Sequence, residues 1–520
     1  MGSEGTEMAK PRIALCLYGR FNNRLDQTSG SNGFEYIRMS LLSKFDVDVF
    51  IFSTDLERAE QITDLYKPWA KEIIFEPQQD FESVLQQHDI DDSIFQAKQG
   101  FRTLSNTLAF LYARGKAIEM AAKYETQGAV TYTSVISARF DLGQLDKLNG
   151  RHSHRVSEIG FNPRLDMNYI YSANWSQHDA GYADQWFYSS MANMRTLATM
   201  YDRSVAYFKG ELGYFDFLSQ GVTDSCDQNE FANVRFDSAK RLTRKRKYAI
   251  AEAVNNHLLH KYFFLDSGLY EKSKFASDFG DVANVLYSHT DYDDVWPAFF
   301  GQQEKFLGPF GENYIFLNKL SDKVPSHWTQ VIYPDTASYT ERLSHCLKQI
   351  DCQVIFFQHE DMFLYGTPNV SALKNILKLL TTANSPLDYV RLVRGGRYVG
   401  TAIPKNWKFS RMYRLSPWLL SVQPSFWRRE AMLELVTEMA GKNIWEFESA
   451  GQKVFRRQGI RGATINQKGI RRGKYHWDNA IYPFVATAIV KGQWNTSEYG
   501  DVLEPILEAN GINPELRGTT

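Results

Sequence analysis

Two apolar runs in this chain end in acid. Gln353-Val354-Ile355-Phe356-Phe357-Gln358 passes straight into His359-Glu360-Asp361-Met362, and far upstream Tyr132-Thr133-Ser134-Val135-Ile136-Ser137-Ala138 passes into Arg139-Phe140-Asp141. A continuous apolar run of this kind reads as a central strand covered on both faces. Carboxylates at its carboxyl end stand where open α/β sheets hold their ligands. Around each run, apolar strands alternate with helical stretches in the spacing of βαβ units. The first half predicts strands over 12–18, 48–54 and 72–75, helices over 34–44 and 103–124, and a polar, Gly-rich loop after Gly19-Arg20-Phe21. A loop-rich stretch over 143–180 then leads to a strand over 182–188, a helix over 190–208 and a helix from Ala251 to near His260. Gly, Ser and Asp punctuation over 267–283 marks a boundary. Beyond it the pattern predicts strands over 284–288, 314–317, 330–333, 389–392 and 418–422, with helices over 338–349, 370–381 and 429–439. The expectation is an α/β chain of two domains in tandem, 10–280 and 281–520, duplicated in architecture and not in sequence.

Composition fits that plan. A chain of 520 residues exceeds what one hydrophobic core usually serves, so two domains, with three as the alternative, are expected. A net charge of -1 lacks the basic excess of a general nucleic-acid binder. Aromatic residues reach 14%, and such rings stack on sugars as well as fill cores. Cys16, Cys226, Cys346 and Cys352 show neither metal nor redox spacing and do not make a disulfide framework, which points to the cytosol. The opening Met1-Gly2-Ser3-Glu4-Gly5-Thr6-Glu7 has no apolar core and is left out of the fold expectation. No window approaches 18 uninterrupted apolar residues, so no membrane span is expected. The Asn-x-Ser/Thr triplets at Asn174, Asn369 and Asn495 lack a secretory signal and read as chance.

A family resemblance emerges from ordered short motifs. Asp293-Asp294-Val295-Trp296, Tyr339-Thr340-Glu341-Arg342-Leu343, His359-Glu360-Asp361-Met362-Phe363-Leu364, Gln423-Pro424-Ser425-Phe426-Trp427-Arg428-Arg429, Ile444-Trp445-Glu446-Phe447-Glu448 and Val490-Lys491-Gly492-Gln493-Trp494 follow one another in the second half. Together they resemble bacterial and viral glycosyltransferases of the GT-A fold. The first half is similar to a different GT-A group through Leu17-Tyr18-Gly19-Arg20, Ser137-Ala138-Arg139-Phe140-Asp141, Ala183-Asp184-Gln185 and Ala251-Glu252. The resemblance implies two Rossmann-like, doubly wound mixed sheets. It also implies nucleotide-sugar donors, Mn²⁺ or Mg²⁺, and a growing capsular, lipopolysaccharide or viral glycan as acceptor, lipid-linked in one version and met at the inner face of a membrane.

The acids take roles from that chemistry, each with a plainer alternative. Glu360 and Asp361 would hold a divalent cation against the donor diphosphate, with His359 as a further ligand or sugar contact and Ser288 beside them; the alternative is helix capping. Asp141 would bind metal or ribose while Arg139, on the same strand face, binds phosphate; the alternative is a local ion pair. Tyr18, Gly19 and Arg20 would lie under the nucleotide. Glu448, then Glu446, is the candidate base that takes the acceptor's proton, and Asp184 is its counterpart in the first half; acids at helix starts explain the same positions. Trp427, Arg428 and Arg429 form either an acceptor wall or core. The basic stretches 240–247 and 453–474 would meet an anionic lipid or the diphosphate, or form solvated faces. A single active transferase with a binding partner domain, a sugar nucleotidyltransferase and a carbohydrate-binding protein are the competing readings.

Overall fold

The structure, a computed structural model, describes residues 11–22, 26–90, 103–128, 130–143, 158–174, 181–220, 254–381, 386–393, 400–403, 406–465, 471–472, 476–478 and 480–520. The chain divides into two compact units, Met1–Gly280 and Asp281–Thr520. Cys226, the basic stretch 240–247 and Ala251-Glu252 lie outside the described residues.

The first unit is built on a mixed sheet. Its strands, numbered along the chain, are β1 (Arg12–Tyr18), β2 (Asp46–Ser53), β3 (Ala70–Phe75), β4 (Ser134–Arg139), β5 (Ile170–Ala173), β6 (Trp186–Ser189) and β7 (Ser273–Ala276), arranged in space as β3-β2-β1-β4-β6-β5-β7. All neighbours run parallel except β6, which is antiparallel to β4 and β5. Period-two alternation gives each face its own core. Ala14, Cys16, Tyr18, Phe50 and Phe52 share one with Leu108, Leu111 and Ile118 of the helix Leu104–Gln127. Ile13, Leu15, Leu17, Val49 and Ile51 share the other with Phe34, Ile37, Ile62 and Tyr66. Burial on both faces is why these strands read as continuous apolar runs.

The second unit repeats the plan. Its strands are β8 (Val282–Tyr287), β9 (Glu312–Leu317), β10 (Thr329–Ile332), β11 (Val354–His359), β12 (Tyr389–Arg391), β13 (Gly400–Ile403), β14 (Asn406–Met412), β15 (Ser425–Arg428) and β16 (Gly462–Ile465), in the order β10-β9-β8-β11-β15-β12-β16-β14-β13. With β13 and β14 set aside as an added hairpin, the order and the single antiparallel insertion match the first sheet strand for strand. Each unit is a Rossmann-like, doubly wound mixed α/β sheet. In each, the ladder between its first and fourth strands ends on a matched pair, Tyr18 opposite Arg139 and Tyr287 opposite His359.

Several elements depart from the pattern read in sequence. The polar stretch after Phe21 holds the helix Ser29–Ile37, continued by a π turn over Arg38–Leu42, because its glycines are packing seats. A Cβ at Gly33 would stand 1.9 Å from the Phe140 carbonyl oxygen and 3.0 Å from the Asp141 Cα. The expected strand over 418–422 does not form, and the strand begins after Pro424 as β15. The Leu419 and Leu420 amides donate to Gln452 Oε1 at 2.6 and 3.0 Å, which replaces ladder bonds with side-chain ones. The helix over 190–208 is two, Met191–Ala198 and Met200–Phe208, and the one expected from Ala251 is Asn256–Ser267, capped by Asn255. The four-residue strands β5 and β7 fall in stretches read as loop, too short to carry a period.

Candidate functional site

In both units the candidate residues gather at the carboxyl ends of the parallel strands. In the second, β11 delivers Glu360, 8% exposed, and Asp361, half-buried, beyond its last residue His359. No helix starts there, since the next begins at Val370, so capping does not explain these acids. Burial pushes both carboxyls up, and the neighbouring Asp361 charge adds to the effect on Glu360. Ser288, just past β8, faces Glu360 and is itself fixed: its Oγ accepts from Trp296 Nε1 at 2.8 Å and its carbonyl accepts from the Tyr333 hydroxyl at 2.7 Å. Arg517 also faces Glu360, but its guanidinium is forked onto Asp294, both bonds 2.6 Å, and lies over the Tyr292 ring. Glu360 and Asp294 therefore share one guanidinium, and Asp361 adds a further negative charge beside Glu360.

That surplus of charge fits a divalent cation. Two carboxylates are oxygen ligands of the kind Mg²⁺ and Mn²⁺ take, with the remaining positions left to water and phosphate. Among the described residues no group of three or more His, Cys, Asp or Glu side chains forms a metal cluster, so the protein's share would be this pair. His359 does not join it. Its Nε2 lies 3.3 Å from the Tyr339 hydroxyl, its ring stacks on Tyr339, and burial holds its pKa down at about 4, a neutral imidazole.

Tyr339 links the acid pair to the candidate base, because the charges of Glu448 and Glu360 both act on its hydroxyl. Glu448 is half-buried, and desolvation pushes its pKa up. Its Oε1 accepts from the Val422 amide at 3.2 Å. Glu446 is exposed and closes the capping box of the helix Ile444–Gln458: its amide donates to Asn443 Oδ1 at 2.9 Å and its Oε2 accepts from the Asn443 amide at 3.1 Å. Glu448 is the better placed of the two.

Trp427, Arg428 and Arg429 are corrected to a structural role. β15 runs antiparallel to β11 and pairs Arg428 with Val354, so these residues lie at the opposite end of the sheet from Glu360. Trp427 is core, its ring tilted against Tyr389 with centroids 4.0 Å apart; Arg429 bonds the Cys352 and Leu347 carbonyls. Four arginines of the basic stretch 453–474 are likewise spent within the protein. Arg456 bonds the Arg414 and Ser416 carbonyls, Arg457 pairs with Glu438, Arg461 forks onto Asp388, and Arg472 pairs with Asp478 and Asp501. Its Lys468 and Lys474 lie outside the described residues.

In the first unit, Tyr18, Arg139, Asp141 and Asp184 come together across 166 residues of sequence. The Arg139 guanidinium is forked onto Asp141 at 2.9 and 2.6 Å. The Tyr18 hydroxyl reaches the Asp184 carbonyl at 3.4 Å. Asp184 does not cap a helix, since the strand β6 follows it. Burial alone would push its carboxyl up; His257, whose Nδ1 is 4.0 Å away, with Arg139 and the Asn256 amide at 3.1 Å, more than offsets this and holds it at about 2. Gly19 adopts φ +91°, a conformation glycine supplies without strain, and its carbonyl accepts from Ser53 Oγ at 2.7 Å. Arg20 follows it, exposed.

Beneath this site lies a group the sequence reading missed. Arg114 on the helix Leu104–Gln127 is fully buried, donates to His260 Nε2 and lies over the Phe110 and Phe187 rings. His260 Nδ1 faces the Asn256 carbonyl, so its Nε2 is the acceptor, and burial beside Arg114 holds the imidazole neutral. Arginine in an otherwise ordinary amphipathic helix gives no local signal of this. A groove of about 440 Å³ lined by Lys123, Arg195 and Asp202 holds none of the candidate residues.

No family model matches the chain, and no curated protein does. Among solved structures it is similar to the mannosyltransferase PcManGT from Pyrobaculum calidifontis in complex with GDP-Man and Mn²⁺, at 12% identity over 35% of this chain and 53% of that one, TM-score 0.24. It is similar to TarS from S. aureus at 14% identity over 45% and 66% of the two chains, TM-score 0.27. A third is glucosyl-3-phosphoglycerate synthase from Mycobacterium tuberculosis with Mn²⁺ and UDP-glucose, at 14% identity over 36% and 72%, TM-score 0.22. The chain thus spans between about half and two thirds of the first two. Likeness at this level carries no functional argument, which rests on the geometry of the sites.

Proposed function

We propose that this chain is a bifunctional glycosyltransferase, each unit taking sugar from a nucleotide-sugar and adding it to a growing glycan. The observation that carries the reading is the Glu360-Asp361 pair, desolvated and short of positive charge at the carboxyl ends of parallel strands. A Mn²⁺ or Mg²⁺ ion bound there would supply charge against the departing diphosphate. Glu360 and Asp361 would hold it, and Ser288 keeps the Glu360 carboxylate in place. In an inverting transfer Glu448 takes the proton of the attacking acceptor hydroxyl, and its raised pKa suits that task. In the first unit Asp184 is the corresponding carboxylate. Held ionised, it orients the acceptor hydroxyl by accepting its hydrogen bond.

The test is nucleotide release from a panel of nucleotide-sugars with glycan acceptors, comparing the parent chain with separate Asp141→Ala and Asp361→Ala variants. Loss of one linkage from each variant supports two activities. A silent variant reduces the proposal to one active unit with a binding partner domain. Consumption of a nucleoside triphosphate with sugar phosphate would replace it with a nucleotidyltransferase, and no turnover of any donor would refute it.

A further inference from the structure

The two sheets share one topology, so their sites can be compared position by position. With Tyr18–Arg139 matched to Tyr287–His359, Phe140 stands where the second unit has Glu360, and Asp141 where it has Asp361. The acid pair of one unit is thus a single acid in the other. Phe140 is fully buried, edge-on to Phe21 and Tyr66, and is committed to the core. Both oxygens of Asp141 already accept from Arg139.

Charge separates the sites as sharply as geometry. In the first unit Asp141 and Asp184 are matched by Arg139 and Arg114, whereas in the second the Arg517 that acts on Glu360 is forked onto Asp294. A divalent cation entering the first site would meet a guanidinium forked onto Asp141, and the buried Asp184 carboxylate is already held by the Asn256 amide and faces His257. The described residues there do not fit a metal.

They do fit an anion. The Arg139 side chain is 34% exposed while that of Asp141 is 6% exposed, so the charge that solvent reaches is the guanidinium. Nε and Nη2 hold Asp141, and Nη1 has no hydrogen-bond partner among the described residues. Beside it, at the end of the neighbouring strand, no described residue comes within 4 Å of where a Cβ on Gly19 would stand. An arginine oriented by a carboxylate fork, with donors left over, is a phosphate-binding arrangement.

We propose that the first unit binds the diphosphate of its ligand directly on Arg139, without a divalent cation, while the second unit requires one. This rests on the reading of both units as nucleotide-sugar sites. The test uses the full chain carrying Glu360→Gln and Asp361→Asn, which leaves the first unit as the nucleotide site. Inorganic pyrophosphate, UDP and GDP are titrated calorimetrically in EDTA and again in Mn²⁺. The expected result is binding in EDTA within about threefold of that in Mn²⁺, weakened about tenfold or more by adding Arg139→Lys, which keeps the charge beside Asp141 and loses the fork. Equal binding by the Arg139→Lys chain, binding in Mn²⁺ alone, or none in either condition overturns the inference. The EDTA and Mn²⁺ arms on the parent chain keep the test decisive if Arg139→Lys does not fold. The parent chain's release of nucleotide from sugar donors in Mn²⁺ reports on the glycosyltransferase reading separately: release with failure above removes only this inference, and no release and no binding removes both.

Discussion

Asp184→Asn tests whether the first unit's site holds its carboxylate ionised. The side chain is buried, and its pKa stands at about 2 against an ordinary 3.8, so the folded state favours the charged form. That difference corresponds to about 2 kcal/mol of stability at neutral pH, since each pKa unit is worth about 1.4 kcal/mol. The sign follows from linkage. A depressed carboxyl pKa contributes fully above the unfolded value and is lost as pH falls through the folded one, so the window runs from about pH 4 down to pH 2. By pH 3 about half of the contribution remains. Asn keeps the shape and can still accept from Asn256, but it carries no charge toward Arg139 and His257. Urea unfolding of parent and variant at pH 7, 4 and 3 should show the variant less stable by about 2 kcal/mol at the first two and by about 1 at the last. A variant as stable as the parent at pH 7, or a gap that does not narrow toward pH 3, would refute the electrostatic account of this site.

Three further outcomes follow from the geometry. Gly33→Ala puts a methyl 1.9 Å from the Phe140 carbonyl, forcing the helix Ser29–Ile37 off the strand end; urea unfolding should show a loss of about 3 kcal/mol, and pyrophosphate binding to the first unit should fall with it. Glu448→Gln removes the candidate proton acceptor and should lower kcat about 100-fold or more with the donor KM little changed, as read by nucleotide release; an unchanged kcat would strip Glu448 of that role. Asp294→Asn loosens Arg517 beside Glu360, and the freed guanidinium should weaken Mn²⁺ binding measured by calorimetry, whereas unchanged affinity would mean that Arg517 has no influence on the acid pair.

What the sequence determined by itself was local and periodic. Strands buried on both faces announce themselves as apolar runs, so β1, β4, β8 and β11 were legible to within a few residues, and with them the acids at their ends. Glu360 and Asp361 were readable because the strand that presents them is continuous. The short strands β5 and β7 carry no period and were not legible, and Gly33 looked like loop because what seats it in a helix is the backbone of Phe140, more than 100 residues away. Only the tertiary structure decided what each acid faces. Asp141 lies against Arg139 in a closed fork, Asp184 is held down by His257 and Asn256 from a distant helix, and Glu360 is left short of positive charge because Arg517 is spent on Asp294. Trp427 and its arginines followed an apolar strand as the acids did, yet that strand runs the other way and delivers them to the far end of the sheet. Strand direction and charge neighbours are properties of packing, and the energy of an ionised group depends on what surrounds it in space, which neither composition nor spacing contains.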